Sequence, residues 1–276
     1  MRTKILIPWK INPRNVIAGC LLITLTTWSN DRHFGYSYET ATMPKGAREM
    51  EISSTARVGH DDYYSRLDHR LEFETGLTDN LQTAFYLNWQ QVSEEVSTGK
   101  LQTAMAWEGI SSEWKYKFSD PVANAIGFAL YGELGYNTDE MEVEVKTLFD
   151  KRVGDFLLAA NFIGEWEFES GPEELELAEI APQITLAAAY SFSHALSLGL
   201  ELRNHNEIAK EDSSDEMEWQ HSALFLGPTV AYATKAWWMT FTVLPQIPAL
   251  KSPGKGKLIL DEHEAVEARF LLSFHL

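Results

Sequence analysis

The sequence predicts an all-β protein, a single antiparallel transmembrane β-barrel of about 12 strands. Three observations carry that expectation. Stretches of alternating apolar and polar residues recur from residue 48 to the end, and a period of two puts one kind of side chain on each face of a strand. The connections between these stretches alternate between short and mostly longer. An N-terminal stretch has the make-up of an export signal. No run of eighteen apolar residues occurs, so a helical membrane span is not expected.

The chain divides into a signal peptide (1–29), a periplasmic leader (30–46) and the barrel (47–276). Arg2, Lys4, Lys10 and Arg14 form the basic region, and Val16–Trp28 supplies the apolar stretch. Cleavage is expected after Ser29, with Thr27 and Ser29 as the small residues. Ile17-Ala18-Gly19-Cys20 resembles a lipoprotein cleavage box, but its apolar residues, Leu21–Leu25, follow it instead of preceding it. Cys20 is the only cysteine, so the mature chain would hold neither a disulfide nor a thiol site. The formal charge of −17 becomes −21 without the four basic residues of 1–29. That balance argues against nucleic-acid binding and a polybasic anchor.

Met43-Pro44-Lys45-Gly46 reads as a turn feeding the first strand. That strand, about Arg48–Val58, sets Met50, Ile52, Ala56 and Val58 against Glu49, Glu51, Ser53, Thr55 and Arg57. The second, about Arg66–Thr75, opposes Leu67, Leu71 and Phe73 to Asp68, Arg70, Glu72 and Glu74. After the turn Gly76–Asn80, the third places Leu81, Phe85, Leu87 and Trp89 against Gln82, Asn88 and Gln90. The pattern repeats at about 104–118, 124–136, 141–150, 156–168, 175–191, 196–204, 219–232, 236–247 and 264–276. The ninth is the cleanest, with Leu196, Leu198, Leu200 and Leu202 against Ser197, Gly199, Glu201 and Arg203. In the tenth, both parities are apolar, and a shift of one residue would exchange its faces. Connections near 76–80, 119–123, 150–155, 191–195 and 233–235 are short. Those near 59–65, 92–103, 136–140, 169–174, 205–218 and 248–263 are mostly longer. Outer-membrane barrels pair short periplasmic turns with long outer loops.

Lipid supplies no hydrogen-bond partners, so a membrane sheet must close on itself. An outward Lys or Arg at mid-membrane would cost roughly 2–4 kcal/mol, and the charges do gather on one parity. The expected lumen-lining residues are Glu49, Glu51, Arg57, Asp68, Arg70, Glu72, Glu74, Glu113, Lys115, Glu133, Glu142, Glu144, Lys146, Glu165, Glu167, Glu201, Arg203, Glu267 and Arg269. Trp89, Trp107, Trp114, Tyr116, Tyr136, Trp166, Tyr190, Phe192, Trp219, Tyr232 and Trp237 fall towards strand ends, where an aromatic girdle would sit.

The terminal alternation Ala268–Leu276 resembles the C-terminal signal by which the barrel-assembly machinery recognises its clients. It departs from many of them in ending on Leu276 instead of an aromatic residue. The leader Phe34–Gly46 resembles the start of a family of uncharacterised Gram-negative outer-membrane proteins, loosely labelled transporters. So do Gly76-Leu77-Thr78-Asp79-Asn80, Leu130-Tyr131-Gly132-Glu133 and Phe225-Leu226-Gly227-Pro228-Thr229. The resemblance implies a barrel in the outer membrane of a Gram-negative bacterium and no particular substrate or catalytic residue.

The leading expectation is passive passage of small cationic or neutral solutes, because an acidic wet lumen attracts cations. The alternatives are a non-conducting barrel acting through the loops at 92–103, 205–218 and 248–263, and a lipid-modifying enzyme. His221-Ser222 and Asn204-His205-Asn206 are the nearest catalytic combinations, but adjacent strand residues face opposite ways and the His-x-Ser-Asn-Gly phospholipase pattern is missing. Catalysis is not expected. Glu211–Glu218 is acidic but lacks the spacing and Gly of an EF-hand loop. Lys251–Lys257 is basic and Gly-rich but is no Walker motif. The histidines look too scattered for a transition-metal site, so neither metal nor cofactor is expected. The expected partners are outer-membrane lipids, lipopolysaccharide, the barrel-assembly machinery and small solutes or cations.

Overall fold

The computed structural model describes residues 31–60, 63–97, 99–170, 175–210, 216–252, 257–260 and 263–276. The proposed signal peptide therefore lies outside the described residues. Among those described, twelve strands run as β1 (Arg48–Val58), β2 (Tyr64–Thr78), β3 (Leu81–Ser97), β4 (Lys100–Ser119), β5 (Gly127–Tyr136) and β6 (Glu140–Val153). They continue as β7 (Phe156–Ser170), β8 (Leu175–Ser191), β9 (Leu196–Lys210), β10 (Met217–Ala233), β11 (Trp237–Lys251) and β12 (Val266–His275). Each pairs antiparallel with its sequence neighbours, and β1 pairs with β12 to close the barrel.

The closing register sets Ile52 opposite Leu272 and Arg57 opposite Glu267. Like residues thus face like across the seam, and neither β1 nor β12 is left as an open edge. Every second residue along the strands turns apolar side chains outward. Phe73, Phe85, Ile110, Trp114, Leu134, Phe162, Leu200, Phe241 and Phe270 are all exposed. A continuous apolar exterior of this kind needs lipid around it, because soluble proteins do not present patches so large. Phe118, Phe128 and Phe149 stack with near-parallel rings along the short-turn end, at centroid spacings of 5.1 and 5.2 Å. Phe156, Tyr190 and Phe192 continue that belt.

Four expectations are corrected by the fold. Most of the expected loop at 92–103 is strand: β3 runs to Ser97 and β4 starts at Lys100, with Val92 opposite Ala104 and Ser93 opposite Thr103. Residues 205–210 and 217–218 are likewise strand. Polar residues can extend a ladder past the apolar zone because its backbone bonds do not depend on alternation. The third concerns the connection after β11, where Ile259, His263 and Glu264 are buried instead of exposed. Gln246 holds it, donating from Nε2 to the carbonyls of Ile259 (3.0 Å) and Glu264 (3.1 Å).

The fourth is the largest. Of residues 31–46, expected as a periplasmic leader, 31–43 lie inside the barrel, where Phe34 and Met43 are fully buried, and only the turn Pro44-Lys45-Gly46 is exposed. In β10 the two open faces resolve: Ala223 and Phe225 are buried inside, while Leu226 is exposed outside. A bulge on β4 sets Asn88 opposite Gly109 but Trp89 opposite Trp107, which shifts the facing of β4 by one residue beyond it. Gly109 sits there at φ +94°, a conformation that favours glycine.

Candidate functional site

The inner wall and the segment 31–46 form one site, because wall side chains satisfy the segment's backbone. Glu201 of β9 accepts from three consecutive N–H groups, those of Gly35 (2.7 Å), Tyr36 (2.9 Å) and Ser37 (2.9 Å). Asn161 of β7 pairs with Tyr38 in both directions, accepting from its N–H at 2.6 Å and donating to its carbonyl at 2.9 Å. Asp150 of β6 takes the N–H and hydroxyl of Thr40. Gln82 of β3 takes Met43 N–H, and Asp79 takes Lys45 N–H. A buried segment outside the sheet needs such partners, since each orphaned amide would cost about 1–3 kcal/mol.

Apolar side chains anchor the segment between these bonds. Phe34 packs on Leu157, Ala159, Ala187 and Ala189 of β7 and β8. Tyr36 packs on Ala223, Phe225 and Leu244, and on Ile259 from the connection after β11. The two inserted pieces of chain therefore meet inside the lumen. The Arg269 guanidinium lies 4.0 Å from the Tyr36 ring centroid, and Lys146 Nζ lies 4.1 Å from that of Tyr38. A small cavity remains beside the segment, lined by Arg32, Tyr38, Glu39, Glu74, Glu113 and Lys115, among others.

The expected lumen-lining residues fall into three groups on this wall. In the first, Arg57 joins Asp68 (2.7 Å) and Glu267 (3.0 Å), Arg203 joins Glu267 (2.6 Å), and Arg269 donates to Thr55 Oγ1 (2.9 Å). Glu201 lies beside it through Thr242 Oγ1. In the second, Arg70 reaches Glu133 (3.1 Å), Lys146 reaches Glu144 (2.6 Å) and Glu165 accepts from Gln183. Glu142 and Glu167 stand opposite one another on β6 and β7, half-buried.

The third group surrounds the short-turn end. Glu49 accepts from Trp238 Nε1 (3.0 Å) and Ser273 Oγ (2.8 Å). The carboxylates of Glu51, Glu72 and Glu74 converge within 4.8 Å, Tyr86 OH donates to Glu113, and Lys115 lines the cavity.

Asn161, Asp150 and Gln82 were not among the expected site residues. One signal pointed to them. Leu157, Ala159, Ala187 and Ala189 are apolar on the parity that should face water, and an apolar inner wall calls for an occupant. His221 and Ser222 turn to different partners: His221 Nε2 faces His263, while Ser222 Oγ accepts from Asn204. The expectation that the histidines are scattered is also corrected. His205, His221 and His263 converge on one point of the inner wall.

Several solved structures align with this barrel. The COG4313 outer membrane channel from Pseudomonas putida F1 aligns at TM-score 0.65 and 14% identity, over 86% of this chain and 98% of that one. The KdgM porin aligns at TM-score 0.48 and 12% identity, over 82% and 98%. LpxR from Salmonella typhimurium aligns at 0.47 and 8%, over 82% and 99%. The first likeness shows a shared fold. No curated protein matches the chain by sequence. A family model covers residues 26–276, and the chain belongs to that family, described as a family of unknown function (DUF6662).

Proposed function

We propose that this protein is a channel of the Gram-negative outer membrane, closed at rest by residues 31–46 and passing small cationic or neutral solutes when that segment shifts. The observation that carries the reading is how the segment is held. No sheet pairing binds it within the lumen; wall side chains do, led by Glu201 on three N–H groups. The barrel closes through β1 and β12 without it, so water can replace those side-chain bonds while the wall stays whole. The acidic residues of β1, β2, β6 and β7 would then favour cations. A solved channel of the same fold supports the reading. Lipids and lipopolysaccharide would surround the exterior, and β12 would present the signal to the assembly machinery.

One observation favours a non-conducting barrel acting through its outer connections: Tyr36 and Ile259 fill the lumen from both sides. Planar-bilayer recording of refolded residues 30–276 under a salt gradient separates the two. Brief cation-selective openings that lengthen in Glu201→Ala/Asn161→Ala, and lose selectivity in Glu72→Gln/Glu144→Gln, support the channel. Silence from all three folded proteins overturns it.

A further inference from the structure

We propose that His205, His221 and His263 bind a divalent transition-metal cation of the zinc class. The site is independent of whether the lumen conducts. His205 and Glu207 lie on β9 and His221 on β10, which the ladder sets together, with His221 opposite Glu207 and a bulge just before it. His263 arrives from the connection after β11. Its Nε2 lies 2.7 Å from His221 Nε2 and 3.1 Å from His205 Nδ1. All three ligand nitrogens lie within 4.8 Å of one another. The ring of His263 stands nearly perpendicular to both others, at 85° and 86°, so the imidazoles meet by their edges instead of stacking.

Hydrogen bonding alone serves this arrangement poorly. A neutral imidazole nitrogen carries either one proton or one lone pair, yet His263 Nε2 faces two partners at once. A cation among the three nitrogens uses one lone pair from each. Tetrahedral zinc, with Zn–N near 2.0–2.1 Å, separates its ligand nitrogens by about 3.3 Å. The 2.7 Å contact would open by about 0.6 Å and the 3.1 Å contact by about 0.2 Å, an adjustment that falls to the one ligand not on a strand.

The surroundings suit such an ion. His221 and His263 are buried, and the Phe225 ring lies 5.9 Å from that of His263. Glu207 Oε2 stands 3.6 Å from His221 Nε2, close enough to offer a carboxylate as fourth ligand. Three imidazoles with one carboxylate favour zinc, copper or nickel over calcium and magnesium, which take oxygen donors. Two ligands sit on the wall and one on the β11–β12 connection, so a bound ion would staple that connection inside the barrel.

The test uses untagged residues 30–276, refolded in detergent, stripped of metal and titrated with Co(II), then Zn(II). The expected result is one equivalent of Co(II) with absorption bands of a tetrahedral nitrogen-rich site, displaced by Zn(II) and untouched by excess Ca(II) or Mg(II). His263→Gln, outside the sheet, should weaken Zn(II) binding by more than about a hundredfold, beyond the loss usual for groups that merely support a ligand. The exposed His194→Ala should leave it unchanged. No tetrahedral bands in the folded wild-type chain would overturn the proposal, as would stoichiometric binding that survives His263→Gln with the barrel intact. Should His263→Gln fail to fold, His205→Gln takes its place under the same criteria.

Discussion

Arg203 of β9 and Glu267 of β12 meet inside the barrel at 2.6 Å, although two strands separate them in the sheet. Glu267 is fully buried and also receives Arg57 at 3.0 Å. Taking such charges out of water is costly, and removing one partner strands the other. Arg203→Met should therefore lower stability by about 3 kcal/mol, read from the urea midpoint in lipid vesicles. The double change Arg203→Met/Glu267→Met should recover part of that loss. No recovery would mean that Arg203 acts through packing instead of charge.

Glu201 holds the segment through charge-assisted bonds, worth about 1.5–3 kcal/mol each. The signal-free chain has no cysteine if cleavage follows Ser29, so Ser37→Cys supplies a single reporter. Its thiol should resist a membrane-impermeant reagent, and adding Glu201→Ala should speed labelling at least about tenfold. Equal rates would show that Glu201 does not seat the segment.

Gly76 offers a steric route to the same end. A Cβ placed there would lie 2.2 Å from the Pro44 carbonyl oxygen and 2.7 Å from that of Met43. Gly76→Val should displace the segment's entry while β2 keeps its pairing. Faster labelling of Ser37→Cys with unchanged heat-modifiable mobility on gels is the expected signature; loss of the folded band would place the strain in the wall.

Phe162 points outward from the middle of β7 and is 51% exposed. Phe162→Arg should cost roughly 2–4 kcal/mol in a bilayer. A loss below about 1 kcal/mol would put that position at the membrane interface.

Strand number, order and facing were legible because each rests on local alternation. In β9 the leucines and the charged residues separate without ambiguity, and the structure turns them out and in accordingly. The tenth strand was ambiguous because both of its parities are apolar. Its inward face is apolar since Ala223 and Phe225 cover Tyr36, a neighbour far away in sequence. Strand ends at 92–103 were missed because a ladder held by backbone bonds can outrun the apolar pattern that reveals it.

By itself the sequence determined a closed β-barrel with a lipid-facing exterior and an acidic inner parity. Each of those follows from period-two sorting and from the need to pair every backbone group in lipid. Only the tertiary structure decided what occupies the lumen. Gly35 reaches Glu201 across 166 residues, and His205 reaches His263 across 58. Closure and strand register bring such partners together, and no local pattern records which inward residues will share a level of the barrel.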